Sequence, residues 1–235
     1  MIENYKDYCV LKAFNLTEAE CKECVDKITI EGIKILIDNQ YMDYSISIIN
    51  EASNEIAFNK ELNRINDLLK SKIYSDSAET LEKVVIKKAK EKALKISCAE
   101  SLTGGMISST LVNVPGSSAV FYEGFVTYSS MAKVRRLHVS ESAIETYGPV
   151  SEQVCSQMVK GLLANKEIQI AVSTTGCAGP DSDEFNTPVG KVFVGIGSQN
   201  VVKTIELDLN GDRETIRKTV TNIALDAMIN MIENI

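Results

Sequence analysis

With 235 residues, 44% of them hydrophobic and 24% charged, the chain is long enough to bury a core in one large domain, or in a small one followed by a medium one. Four prolines and an ordinary apolar content exclude a disordered or fibrous protein. The net charge of −7 excludes a broad nucleic-acid surface, which needs clustered Lys and Arg, so any anionic ligand must be met locally.

The opening MIENYKDYC carries acids and no apolar run, and no later apolar stretch reaches the ~18–20 residues that span a bilayer. A cytoplasmic protein without membrane or nucleic-acid partners is expected. Six cysteines in a chain of this size make no dense disulfide framework, which points to free thiols. Thr17 and Glu20 have capping-box spacing, and Cys21, Cys24, Val25 and Ile28 then fall on one helical face. Residues 33–37 and 44–49 read as two strands around a turn at 38–43, and 61–73 returns to a helical pattern. Residues 1–80 therefore form a small α+β domain; the polar stretch 74–78 suits a linker, and 79–93 resumes as a charged helix.

From Leu94 the pattern becomes strand, loop, helix: LKISCA, then ESLTGG, then MISSTLVNV, ending before Pro115. Further strands are expected at 120–128, 168–173, 191–197 and near 201–207. Ser151 caps one helix, and Asp212 caps a long one carrying Ile216, Val220, Ile223, Ala227 and Met231 at helical spacing. Residues 81–235 read as an α/β domain with three α/β/α layers.

Several side chains carry candidate chemistry. The ESLTGG turn sets hydroxyls and two glycines between a strand and a helix, where free N–H groups favour an anion; equally, Gly104 and Gly105 permit a tight turn. Ser118 lies on a Gly-containing loop fifteen residues before Lys133. With His138 the one histidine, a Ser/His mechanism has little material, and lysine is the natural substitute if burial lowers its pKa from ~10.4 toward ~7–8; by residue type alone Lys133 reads more simply as a solvated surface amine. Ser130 competes for the same amine through the S-x-x-K spacing, though no S-D-N or K-T-G accompanies it. Cys21 and Cys24 form a C-x-x-C without a second ligand pair, so core thiols are the simpler reading and no metal is expected. His138 reads as a surface or capping residue, and Arg213 stands at a helix start, where a guanidinium can clamp a phosphate or carboxylate.

AESLTGG, VPGSSAVFYEGFVTYSSMAK, YGPVSEQV, TTGCAGPDSDEFNTPVGKV and GDRETIR follow one another at intervals that resemble the CinA C-terminal family across nearly all of 94–235. The resemblance implies an amidohydrolase converting nicotinamide mononucleotide to nicotinic acid mononucleotide and ammonia, without metal or organic cofactor, in a chain that commonly self-associates. It places the nucleophile on Ser118, the base on Lys133 and an assisting hydroxyl on Tyr128, with the oxyanion held by the 116–118 turn. Ser101, Thr103, Gly104, Gly105, Thr175, Gly176 and Arg213 would line the nucleotide pocket. Residues 1–80 resemble the KH-type middle segment of longer CinA proteins, without GxxG or basic character, so no RNA binding is expected there. Nothing corresponds to their metal-dependent ADP-ribose pyrophosphatase domain, and that activity is expected to be absent. The sequence departs from the family at Leu102, where Cys is frequent, at Ser130, where Asn is common, and in the acidic 181–187 loop with Phe185. A silent nucleotide-binding module and a Ser130-based acyl hydrolase are the competing readings.

Overall fold

The computed structural model describes residues 7–28 and 30–235; the acidic opening segment, residues 1–6, and Thr29 lie outside them. Two compact units divide the chain, Met1–Thr80 and Leu81–Ile235.

The first unit runs β1 (Tyr8–Phe14), α1 (Glu18–Asp26), β2 (Ile33–Gln40), β3 (Asp43–Asn50), α2 (Glu55–Leu69) and β4 (Ile73–Ser75). Its antiparallel sheet has the order β2-β3-β1-β4, a split βαβ arrangement. The capping box forms: Thr17 Oγ1 accepts from the Glu20 N–H, and the Glu20 carboxylate accepts from the Thr17 N–H at 2.7 Å. Cys24 is buried with Leu11, Ile35, Ile46, Phe58 and Leu62, and Cys21 packs against the same cluster. Burial pushes the Cys24 thiol up to about 11, so the C-x-x-C is a protonated packing pair.

Three boundaries differ from the periodicity. The hairpin turn is only Tyr41 and Met42, both at positive φ, so β2 and β3 extend into the polar residues beside it. Helix α2 starts at Glu55 because the Asn54 side chain accepts from the Ala57 N–H. Tyr74 and Ser75 belong to β4, paired with β1, so the polar stretch begins as strand.

In the second unit β5 (Ile96–Glu100), β6 (Phe121–Val126) and β7 (Ile170–Gly176) are parallel, and β8 (Lys191–Ser198) and β9 (Val202–Asp208) continue the sheet antiparallel in the order β6-β5-β7-β8-β9. Strand β5 is buried throughout, as an interior parallel strand covered on both faces must be. Helices α3 (Leu81–Glu91), α4 (Met106–Val112) and α8 (Arg213–Glu233) make one layer. The other holds α5 (Ser130–Leu137), α6 (Glu141–Tyr147) and α7 (Glu152–Leu163), which gives the three-layer α/β/α architecture. Ser129, Ser151 and Asp212 cap α5, α7 and α8, each accepting from an N–H three residues on. His138 ends α5 in the left-handed region, a capping role. Among the described residues no helix is long and apolar enough to cross a membrane.

Because β5, β6 and β7 are parallel, their carboxyl ends share one edge of the sheet, where open α/β sheets place their sites. Ser101, Thr127 and Gly176 stand there. The 3₁₀ turn Ser117–Ala119 precedes β6 and therefore lies at the opposite, amino-terminal edge, joined to the start of β5 by the Ile96 N–H to Val120 carbonyl bond.

Helix α7 meets α5 without side-chain spacers, and a methyl group on Gly161 would overlap the Leu137 carbonyl oxygen. Gly161→Ala gains at most ~1 kcal/mol of helix propensity but overpacks against backbone that cannot rotate away, at ~1–3 kcal/mol. A net loss is expected, read as a lower urea midpoint at unchanged m-value.

Candidate active site

Lys133 sits in the first turns of α5, and its side chain is almost fully buried, with the residue 2% exposed. Nζ lies 3.0 Å from Ser101 Oγ and 3.0 Å from the Thr127 carbonyl oxygen, with the Tyr128 carbonyl oxygen at 3.4 Å. Among the described residues no carboxylate pairs with it. A buried amine without a counter-ion loses hydration that nothing replaces, and burial pulls the Lys133 pKa down to about 8 against the small opposing influence of Cys155. The three contacts serve both protonation states: the ammonium donates to Ser101 Oγ and to the two carbonyls, and once the proton is lost the Ser101 hydroxyl can donate to the freed lone pair.

Ser101 follows β5 directly, and its N–H continues the ladder to the Thr174 carbonyl. The turn it begins is held from below by Glu100, whose fully buried carboxylate accepts from the N–H groups of Gly105, Ile107 and Ser108 and from the Ser108 hydroxyl, at 2.7–3.1 Å. The start of α4 thus carries its own anion. The Gly105, Ile107 and Ser108 N–H groups at the start of α4 are spent on Glu100, and Gly104 and Gly105 serve the turn through positive φ values. Arg217 grips the same turn from α8, its Nε donating to the Leu102 carbonyl and Nη2 to the Thr103 carbonyl, both at 2.9 Å.

A cavity of about 540 Å³ opens over the Ser101–Lys133 pair. Its wall includes Leu102, Tyr128, Ser130, Thr175, Gly176 and Arg213. Arg213, the first residue of α8, donates to the Gly179 carbonyl at 2.6 Å and from Nη2 to the Tyr128 hydroxyl at 3.3 Å. Thr175 Oγ1 donates to the Pro149 carbonyl at 2.8 Å. Among the described residues no group of three or more His, Cys, Asp or Glu side chains is placed to hold a metal ion.

This hydroxyl-and-amine pair at the carboxyl edge of an α/β/α unit coincides with the reach of a known family, since residues 78–232 match the CinA C-terminal domain. The chain belongs to the CinA C-terminal domain family. A Caldicellulosiruptor saccharolyticus relative is 43% identical over 171 residues, covering 73% of this chain and 42% of its own length. A Clostridium perfringens relative is 35% identical over 232 residues, covering 96% of this chain and 56% of its own length. Both are named as competence-damage inducible proteins, a name that states no reaction, and the chain spans about half or less of their length. Among solved structures, the competence/damage inducible protein CihA of Agrobacterium tumefaciens has a TM-score of 0.62 at 35% identity, covering 65% of this chain and 93% of that one. A CinA superfamily protein of Escherichia coli has the same TM-score at 28% identity, over 64% of this chain and 88% of that one.

Within the CinA unit the residues that the family motifs single out do not all come together. Lys133, Tyr128, Ser101, Thr175, Gly176 and Arg213 converge on one cavity. Ser118 does not join them: it is exposed on the turn before β6, at the edge where Lys95 Nζ reaches the Ala119 carbonyl. Strand β6 separates it from Lys133, on the order of 15–20 Å at ~3.3 Å per residue. Nor can the 116–118 turn serve the same amine, and the Ser117 N–H is already bonded to the Val114 carbonyl. Tyr128 is exposed, with its hydroxyl turned to Arg213 and only its carbonyl near Lys133. Thr103 is buried beside β7, Oγ1 2.9 Å from Thr174 Oγ1, and with Gly104 and Gly105 stays off the cavity wall. Ser130, the S-x-x-K rival, lines the cavity, but the Lys133 amine turns to Ser101.

Burial makes native Lys133 release its proton at about pH 8, whereas the unfolded chain holds it to the ordinary 10.5. Between these values the unfolded state binds more protons, so stability rises with pH, and below 8 the full penalty remains. Lys133→Met should therefore raise the unfolding free energy at pH 7 by roughly 1–3 kcal/mol. The gain should fade as pH rises from 8 to 10.5, read by urea titration across that range.

Proposed function

We propose that the CinA unit is an amidohydrolase that hydrolyses the carboxamide of nicotinamide mononucleotide to nicotinic acid mononucleotide and ammonia, with Ser101 as nucleophile and Lys133 as base. The observation that carries this reading is the 3.0 Å contact between a loop hydroxyl and a buried, unpaired amine under an open cavity. A serine hydroxyl needs a neighbouring base, and an amine lowered to about 8 is neutral in roughly a tenth of molecules at pH 7 and in most above pH 8.

In the first step Lys133 takes the Ser101 proton as Oγ bonds to the carboxamide carbon, and the carbonyl π pair moves to oxygen. As the tetrahedral intermediate collapses, the C–N bond breaks and the Lys133 ammonium protonates the departing nitrogen, releasing ammonia and a nicotinoyl ester on Ser101. Water then attacks that ester, Lys133 accepts its proton, and the proton returns to Ser101 as the acid leaves. The Leu102 and Thr103 N–H groups, which donate to no other protein group among the described residues, supply the charge stabilisation an oxyanion requires. Arg213, a guanidinium at a helix start on the cavity wall, suits the nucleotide phosphate.

Ammonia release from nicotinamide mononucleotide by the purified protein tests this reading, and kcat/KM should climb with pH to a plateau above about 8. Ser101→Ala should lower kcat by about 10³-fold or more, while Ser118→Ala should stay within about threefold of the parent. The reverse pattern would return the nucleophile to Ser118.

A further inference from the structure

Arg217 closes the GDRETIR segment, where only Arg213 was given a role, and it does not line the cavity. Its guanidinium nevertheless bonds both carbonyls that follow Ser101, a fork matched to consecutive peptide oxygens at 2.9 Å each, with the Met106 N–H sharing the Thr103 carbonyl at 3.2 Å. A methyl group on Gly104 would lie 3.2 Å from the same Nη2, so the side chain and the turn fit closely.

In a planar trans peptide the carbonyl and the N–H of the following residue point in opposite directions. Holding the Leu102 carbonyl toward α8 therefore turns the Thr103 N–H away from α8. The Ser101 carbonyl is fixed in the same way by the Gly104 N–H at 3.1 Å, which sets the direction of the Leu102 N–H. Both N–H groups are left without a protein acceptor among the described residues. Glu100 holds the far end of the turn through Gly105, so neither peptide is free to rotate.

We propose that Arg217 is a positioning residue that orients the Leu102 and Thr103 N–H groups as the oxyanion donors for attack by Ser101; this rests on the amidase reading above. Arg217 touches neither substrate nor reacting atoms, so its loss should act on kcat rather than on binding. The relevant scale is the ~10²–10³-fold effect of losing a direct oxyanion donor. An indirect support should cost somewhat less.

The test compares wild type with Arg217→Met and Arg217→Lys in ammonia release from nicotinamide mononucleotide. Alongside it, the rate of Ser101 modification by an alkyl fluorophosphonate is followed by intact mass, a reaction that needs the oxyanion donors but no particular amide. For Arg217→Met the expectation is a fall in kcat of about 10–100-fold with KM within about threefold and a parallel fall in phosphonylation rate. Added guanidinium ion should restore part of both rates, and Arg217→Lys should fall between the two. Wild type that is phosphonylated on Ser101 yet releases no ammonia would overturn the substrate assignment, and Arg217 would then stand or fall on the labelling rates. Equal labelling rates in a folded Arg217→Met protein, or a loss confined to KM, would overturn the proposal. So would wild type in which Ser101 resists the reagent altogether.

Discussion

Everything distinctive about the CinA unit follows from one lysine amine being almost fully withdrawn from solvent at the base of a cavity. A surface lysine is a solvated cation and no base at all near neutral pH. Lys133 differs because α5 begins just after the carboxyl end of β6 and drops its fourth residue under the cavity floor, where two carbonyls and one hydroxyl are its whole environment. The same burial that makes the amine a base also destabilises the fold, and the molecule retains that cost at the site where the proposed chemistry needs it.

Holding the partner hydroxyl requires a turn that does not move. Ser101 is fixed from three directions: by β7 through the Thr174 carbonyl, by the buried Glu100 carboxylate at the start of α4, and by the Arg217 fork from α8. The first lies in the sheet and the other two tie the turn to α4 and α8 in one helical layer, while Lys133 comes from α5 in the other, so the packing of the unit sets the distance between Oγ and Nζ. Gly161 contributes at longer range by letting α7 press against the end of α5, the helix that carries the lysine.

Much of this was legible in the sequence. The alternation of strand and helix and the capping residues Thr17, Ser151 and Asp212 follow from residue chemistry, whereas by residue type alone Lys133 reads as a surface amine and only the family motifs set it in a site. The ordered motifs brought Lys133, Tyr128, Thr175 and Arg213 to one place. What sequence reading did not foresee was which serine meets the amine: the family motifs pointed to Ser118, which is also nearer to Lys133 along the chain, whereas the Lys133 amine lies against Ser101. Chain distance misleads in a parallel sheet: Ser118 lies on a helix-to-strand connection and Ser101 on a strand-to-helix connection, and these occupy opposite edges. That distinction was available from the order of elements alone. The anion site of the ESLTGG turn was not, because nothing in the spacing says that Glu100 folds back to fill it. Strand β1 and the early start of α2 were obscured for a similar reason, one lying in the middle of a sheet and the other depending on a single Asn54 cap.

The account turns on Lys133 giving up its proton near pH 8 while in contact with Ser101, and side-chain NMR of the lysine Cε and Nζ nuclei, titrated in the intact protein, measures that directly. One lysine, assigned through Lys133→Met, is predicted to titrate near pH 8, with its midpoint moving when Ser101 is replaced by alanine. A Lys133 resonance that titrates above pH 10, with the other surface amines, would contradict it.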